Sequence, residues 1–429
     1  MSTDSAPTTT APAAAARSSL LARGVVLRVA ILIGLTELGF ATVIPLLPLY
    51  LTERLGASVK LVGAVVATFA LVETFLKTAW GSVADRFGRR PMIIVGLLLS
   101  SLAPLAMSVL RVPILFVPLR LVDGAGSSAL WPAATAIIAD ATPQERRATA
   151  MGALNMFFLA GLACGPVLGL YVVGFSGSYA YGFYLASALL GLAALVAFVS
   201  LRGLGETHLN PPNSATVGYH GFAPNPHVTE VVESARFSPL LLMMFAVAFV
   251  QMFGAGLLAP ILAIYAKRIV GLSEQMIGTL FLIAVLSVAL ASLAGGRLAD
   301  RWGKMRAVTW GMVVGSAGMW VLPLSPRLEI LAVGAILVGT SYALSSPAWH
   351  ALVSELAPPG RVGLAMGASQ TAEGLGLVLG PLLGGMLWDV VSHRAPFVAS
   401  ASLLSVGTLA LIITLRYLRP ASAAPSRRP

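Results

Sequence analysis

The sequence predicts an all-α membrane protein of twelve transmembrane helices arranged as two pseudo-symmetric six-helix bundles. Three observations lead there. Hydrophobic residues make up 57% of the 429 residues and charged residues 10%, against roughly 25% charged in an ordinary soluble domain, and mean hydropathy is +0.87. Apolar runs of about 20 residues, long enough to cross a bilayer as helices, recur along the chain. The sequence also repeats at a fixed offset of 215 residues. Pro45, Tyr50, Gly63, Ala84-Asp85-Arg86 and Gly88 return as Pro260, Tyr265, Gly278, Ala299-Asp300-Arg301 and Gly303. Gly96, Gly124, Pro132, Pro143, Arg146, Gly152, Gly161, Gly165-Pro166 and Gly169 return as Gly311, Gly339, Pro347, Pro358, Arg361, Gly367, Gly376, Gly380-Pro381 and Gly384. Chance gives two or three such pairs, not a run of glycines and prolines in one register. Two copies of one membrane unit can rock about a site between them.

Taken in order, residues 1–27 are expected to be a disordered cytoplasmic tail, since the Ala, Thr, Ser and Pro of the first 19 residues hold too little apolar bulk to offset ordering entropy. Small residues precede the apolar core, the wrong order for a cleaved signal. The first bundle covers 28–201, with spans near 28–50, 59–83, 91–110, 113–138, 148–173 and 179–201. A cytoplasmic linker, 202–237, follows with Asn210-Pro211-Pro212, Gly218, Gly221, Pro224 and Pro226, and its Val228 to Phe237 end could form a short surface helix. The second bundle, 238–417, gives spans near 239–266, 274–297, 306–325, 329–353, 363–388 and 395–417, before a cytoplasmic tail, 418–429.

A formal charge of +11 would suggest nucleic acid in a soluble protein. Here the basic residues sort by membrane side. With the N-terminus inside, 19 of the 28 Lys and Arg fall in cytoplasmic loops and tails, seven outside (Arg54, Lys60, Arg111, Lys267, Arg268, Arg327, Arg394), and Lys77 and Arg120 lie within spans. That bias puts both termini in the cytoplasm of a plasma (inner) membrane protein. Cys164 is the only cysteine and the five histidines are scattered, so neither a disulfide nor a metal site is expected. The chain has no phosphate-binding loop, H-E-x-x-H or nucleophile elbow. An enzyme, a cofactor and an ATP-driven pump are therefore not expected, and uphill transport would draw on an ion gradient. The expected partners are a small-molecule substrate, protons and the bilayer, with no nucleic acid and no obligate protein partner.

Between spans 2 and 3 stands Gly81-Ser82-Val83-Ala84-Asp85-Arg86-Phe87-Gly88-Arg89-Arg90, echoed in weaker form from Gly296 to Lys304 with Asp300 and Arg301. It resembles the G-x-x-x-D-R-x-G-R-R loop signature of the major facilitator superfamily. Gly81 and Gly88 allow a close approach and a tight turn, Asp85 can face the positive start of a neighbouring helix, and the arginines can pair with an acid across a cytoplasmic gate, Asp140 being the obvious one. Three further elements are similar to those of twelve-helix drug:proton antiporters. Span 1 carries Leu38-Gly39 with Pro45 and Pro48, and span 4 carries Arg120-Leu121-Val122-Asp123-Gly124-Ala125-Gly126, where Asp123 replaces the commoner glutamine. Span 5 carries Gly161, Gly165-Pro166 and Gly169, with Leu170 in place of a final glycine, and span 11 repeats the element from Gly376 through Gly380-Pro381 to Gly385. Glycines at four-residue spacing make a smooth packing strip and the proline kinks its helix, which suits a hinge between moving halves. The resemblance spans roughly residues 28–417 and implies the major facilitator fold, alternating access and export.

Ionisable groups inside a bilayer cost about 2.5 to 3.5 kcal/mol each on insertion scales, so each is a candidate site. Glu37, Glu73, Lys77, Arg120 and Asp123 all lie in the first half, and their repeat counterparts are Met252, Val288, Ser292, Ala335 and Val338. At 100° per residue, Arg120, Asp123, Ser127 and Trp131 share one stripe, as do Glu73, Lys77 and Trp80. Glu37 and Asp123 are the leading proton-coupling sites, with Glu37 opposed by Arg120. Asp123 could instead simply neutralise Arg120, and Glu73 could be locked in a structural pair with Lys77. Glu373 could hold a cationic substrate or a proton, or cap a polar cluster with Gln370. Phe40, Trp131, Asn155, Phe158, Gln251 and Tyr342 complete the candidate cavity, although membrane aromatics are more often packing or interface anchors. Lys267, Arg268, Asp389, His393 and Arg394 are expected to be solvated. The function expected is proton-coupled efflux of amphipathic or cationic small molecules. The alternatives are a proton-coupled symporter or uniporter of a sugar or other metabolite, or a lipid exporter of the same fold.

Overall fold

The computed structural model describes residues 11–143, 146–202, 237–324, 326–358 and 361–417. Among the described residues all regular structure is helical: α1 (Ala11–Leu49, continued as a π turn, Tyr50–Arg54), α2 (Val59–Phe87), α3 (Arg89–Val109), α4 (Phe116–Ser128), α5 (Leu130–Ala141), α6 (Arg147–Ser176), α7 (Tyr179–Ser200), α8 (Pro239–Leu258), α9 (Ile261–Arg268), α10 (Glu274–Trp302), α11 (Lys304–Val321), α12 (Leu328–Leu356), α13 (Val362–Val390) and α14 (Ala395–Tyr417). Among the described residues eleven stretches are long and apolar enough to cross a membrane; α11, with Lys304 and Arg306 in its 18 residues, falls short of that.

Local chemistry explains where the boundaries differ from expectation. Helix α1 starts at Ala11, well before residue 28: four consecutive alanines, Ala13 to Ala16, have the highest helix propensity, and Pro12 sits in the first turn, where its missing N–H costs nothing. Span 4 is divided at Ala129, three residues before Pro132, whose ring and missing N–H disturb the bond to the Ser128 carbonyl, and span 7 is divided just ahead of Ile261 by Pro260. Gly88 (φ 90°) and Gly303 (φ 88°) make the tight turns of the two loop motifs. The expected surface helix from Val228 falls almost wholly outside the described residues.

The repeat is visible contact by contact. A Cβ on Gly161 would lie 2.9 Å from Cβ of Glu37 on α1, and one on Gly165 would lie 2.6 Å from Cβ of Ala41. In the second copy, a Cβ on Gly376 would lie 3.0 Å from the carbonyl carbon of Met252 on α8, and one on Gly380 would lie 2.7 Å from Cα of Gly256. These are repeat counterparts, and the same holds where Gly124 meets Phe69 and Val72 while Gly339 meets Ala284 and Ser287. Both strips therefore pack α6 on α1 and α13 on α8. Gly161, Gly165, Gly376 and Gly380 thus serve the closest crossing inside each copy, while Pro381 and Gly385 of the same α13 element meet Gly63 and Val59 of α2 in the other copy.

The seam runs along two pairs of helices, α2 against α13 and α6 against α10. The apolar core is distributed unevenly about it. At one end a single cluster joins both copies, from Leu46, Tyr50, Val173 and Phe183 to Ile261, Tyr265, Trp388 and Phe397. At the other end there are two separate clusters, one built on Val29, Ile93, Ile137 and Leu154, the other on Leu241, Val308, Trp349 and Val353. The molecule is joined at one end and split at the other.

Candidate functional site

The charged residues of the first copy gather on α1, α2 and α4. Arg120 and Asp123 are one turn apart on α4 and form an ion pair of 2.6 Å, at 9% and 2% exposure. The pair is incompletely satisfied: Arg120 Nε and Asp123 Oδ1 are buried with no hydrogen-bond partner. The Arg120 guanidinium stacks 4.1 Å from the Phe69 ring centroid, and Phe69 in turn lies 6.3 Å from Phe40 on α1. One turn beyond Phe69, Glu73 pairs with Lys77 at 2.7 Å. The charges acting on Glu37 come from Glu73 and Lys77 of α2, not from Arg120, which was expected to oppose it. Glu37 itself makes no hydrogen bond or ion pair among the described residues, so it is the one acid of this group left without a local partner.

Glu373 belongs to the second copy and accepts a hydrogen bond from Ser369 Oγ at 3.2 Å. Gln370, its expected companion, is exposed, and the titratable neighbour is His350, which is itself tied to the Ser346 carbonyl at 2.9 Å. Thr74 packs against Gly374 where α2 crosses α13. Glu73 and Glu373, each one residue earlier, therefore flank a single crossing of the seam. Among the cavity candidates, Trp131 and Phe158 meet edge to face at 5.1 Å and, with Phe40, border the first copy's own core. Gln251 is half-buried, and Asn155 and Tyr342 are exposed.

At the split end Arg89 pairs with Asp140, the acid expected for it, joining the start of α3 to the end of α5. The repeat counterparts Lys304 and Glu355 form the matching pair. Arg90 donates to the Phe198 carbonyl at 3.2 Å. Gly81, Asp85, Arg86 and Asp300 lie on the helical ends of α2 and α10, but their side chains fall outside the described residues, and Arg301 is exposed.

The joined end holds residues that sequence reasoning missed. Arg268 and Lys267 are not merely solvated. Arg268 donates through Nε to Glu53 at 2.6 Å and through Nη2 to the Thr52 carbonyl at 2.6 Å, and Lys267 pairs with Glu274 at 2.9 Å. Tyr179 donates to the same Glu274 at 3.1 Å, Asp389 accepts from the Lys60 amide at 2.7 Å, and the Tyr171 and Thr279 hydroxyls meet at 3.1 Å. Glu53 and Arg268 are exactly 215 residues apart. Repeat counterparts that touch each other must lie on the axis relating the copies, so this pair marks the axis. The signal was present: applying the offset to Glu53 gives a residue of opposite charge.

Comparison with known proteins fits this geometry. The sequence model of the Major Facilitator Superfamily matches residues 29–250 and 244–429, once for each copy. Multidrug resistance protein 2 of Bacillus subtilis (strain 168) is 26% identical over 374 residues, covering 86% of this chain and 90% of its own length. The multi-drug resistance efflux pump PmrA of Streptococcus pneumoniae serotype 4 is 28% identical over 400 residues, covering 90% of this chain and 94% of its own. The crystal structure of the nucleoside transporter NupG superposes with a TM-score of 0.72 at 13% identity, over 92% of this chain and 99% of that one. The chain belongs to the Major Facilitator Superfamily. It is a multi-pass membrane transporter of small molecules, not an enzyme.

Proposed function

We propose that the protein is a proton-coupled exporter of amphipathic or cationic small molecules, working by alternating access in the plasma membrane with both termini cytoplasmic. In this reading α11 is the twelfth span, and residues 28–201 and 238–417 are two six-helix bundles that rock about the axis marked by Glu53 and Arg268. The observation that carries it is the cluster of Glu37, Glu73, Lys77, Arg120 and Asp123 beside the seam of a molecule joined at one end only. Such charges are retained in a membrane interior for function. The names of the two relatives supply the export direction and the multidrug class.

The mechanism follows from the local pairs. Glu37, without a partner, and Asp123, with one oxygen unsatisfied, are the proton acceptors; Arg120 sets the charge around Asp123 and Glu73 links the two. Glu373 faces the same seam from the second copy and holds the cation of the substrate. The joined end is the extracellular gate. With this end open, protons entering from outside neutralise the acids and expel the cationic substrate outward; the protonated protein then closes here, opens to the cytoplasm and gives up its protons there, so proton and substrate move in opposite directions. The paired Arg89–Asp140 and Lys304–Glu355 brace the cytoplasmic ends of the copies, with Asp85 and Arg86 closing that side in the other state. The test is uptake of a cationic dye into inverted proteoliposomes with and without an inward-acid pH gradient. Accumulation that requires the gradient is expected, and accumulation unaffected by it refutes the coupling.

A further inference from the structure

A cavity of about 450 Å³ opens at the joined end of the first copy, lined by Tyr50, Arg54, Leu55, Ser108, Arg111, Ser178, Tyr179 and Ala180. Its lining brings two guanidiniums and no carboxylate. Arg111 donates one bond to the Tyr50 hydroxyl at 2.7 Å, and Tyr50 passes its own proton to the Leu110 carbonyl at 3.1 Å, which fixes the arginine's direction. Arg54 donates to the Gly177 carbonyl at 3.3 Å and lies 5.8 Å over the Tyr179 ring. Neither guanidinium has an ion-pair partner among the described residues. The nearby acids are engaged elsewhere, Glu53 with Arg268 and Glu274 with Lys267. Each arginine thus keeps most of its five donors for an acceptor that the chain does not provide.

The position says what that acceptor is. The lining residues stand at the ends of the spans Gly24–Arg54, Arg89–Val109 and Tyr179–Ser200, which is the depth of lipid headgroups. Arg54 and Arg111 are also two of the few basic residues placed against the positive-inside bias. The second copy has no such site: the counterparts of Arg54, Ser108 and Arg111 are Ile269, Pro323 and Pro326. Two planar guanidinium forks converging on one cavity match a phosphate group. We propose that this cavity binds the phosphate of an anionic phospholipid in the leaflet at the joined end. Because Glu53 precedes Arg54 in the same π turn, an occupant there bears directly on the Glu53–Arg268 contact. The site depends on the protein's being in a membrane, and not on the transport reading.

The test uses the purified full chain, stripped of lipid in detergent, with phosphatidylglycerol binding read by native mass spectrometry. Arg54→Gln with Arg111→Gln is expected to weaken binding about tenfold, and Arg54→Lys with Arg111→Lys to weaken it less, while Arg327→Gln leaves it unchanged. The lysine pair and Tyr50→Phe, which frees Arg111 from its anchor, carry the test if the glutamine pair does not fold. Displacement by millimolar inorganic phosphate would assign the site to a free anion of the same chemistry, and resistance to it assigns the site to the headgroup. Phosphatidylglycerol binding that is unchanged in every variant overturns the proposal, whatever the outcome of transport assays.

Discussion

At the scale of single residues, the acids differ in what surrounds them. Glu73 has Lys77, and Asp123 has Arg120 but leaves Oδ1 unsatisfied, whereas Glu37 has no partner. Breaking a buried pair from one side strands the other charge, at about 3 to 5 kcal/mol. Asp123→Asn is therefore expected to lower both transport and thermal stability. Glu37→Gln strands nothing, so it should abolish gradient-driven export while the melting temperature stays within a few degrees of wild type. Transport assays beside thermal melts of the two variants check this; undiminished pH-driven export by both would remove them from the coupling role. These acids were legible as candidate sites because charge inside an apolar run is conspicuous in a sequence. Their partners were less so. The i,i+4 pair Glu73–Lys77 is written into one helix, but that Glu37 is addressed by α2 and not by Arg120 depends on how three helices are rotated against one another, which no single span records.

At the scale of elements, the glycine strips and the joined end make different predictions. A Cβ on Gly380 would sit 2.7 Å from Cα of Gly256, so Gly380→Leu is expected to force α13 from α8 and cost about 1 to 3 kcal/mol, read as a lower melting temperature. The spacing marked a packing face on each helix without saying which neighbour covers it: Gly376 and Gly380 face α8 of their own copy, whereas Pro381 and Gly385 face α2 of the other. The Glu53–Arg268 contact is partly exposed, and pairs of that kind are worth about 0.2 to 1 kcal/mol. A contact of that size shifts a two-state equilibrium by no more than roughly fivefold, which suits a latch that must release each cycle. Glu53→Arg is expected to favour opening of this end, and the double exchange Glu53→Arg with Arg268→Glu to restore closure. Accessibility of single-cysteine reporters in a Cys164→Ser background reads both. Equal accessibility in all three proteins would leave the pair without a gating role.

At the scale of the whole molecule, the 215-residue repeat gave the architecture its strongest advance sign, and the structure extends it from shared glycines to shared contacts. Arg89–Asp140 answers Lys304–Glu355, and Gly161 on α1 answers Gly376 on α8. What the repeat did not disclose is the asymmetry across the membrane, one common core at one end and two at the other, since that is a property of a conformation and not of a pattern. The charges inside the spans break the repeat as well: of the first copy's five, four belong to α2 and α4 and Glu37 to α1, with apolar or small counterparts in the second copy, whose own Glu373 stands opposite Phe158. In the proposed function, matched packing moves both copies alike and unmatched charge gives the motion its driving ion. The most direct measurement of that claim is pH-gradient-driven transport of a cationic dye by proteoliposomes holding the wild type or Glu37→Gln. Gradient-dependent accumulation by the wild type that vanishes in the variant, with dye binding retained, is the predicted result. Equal accumulation by both proteins would contradict it.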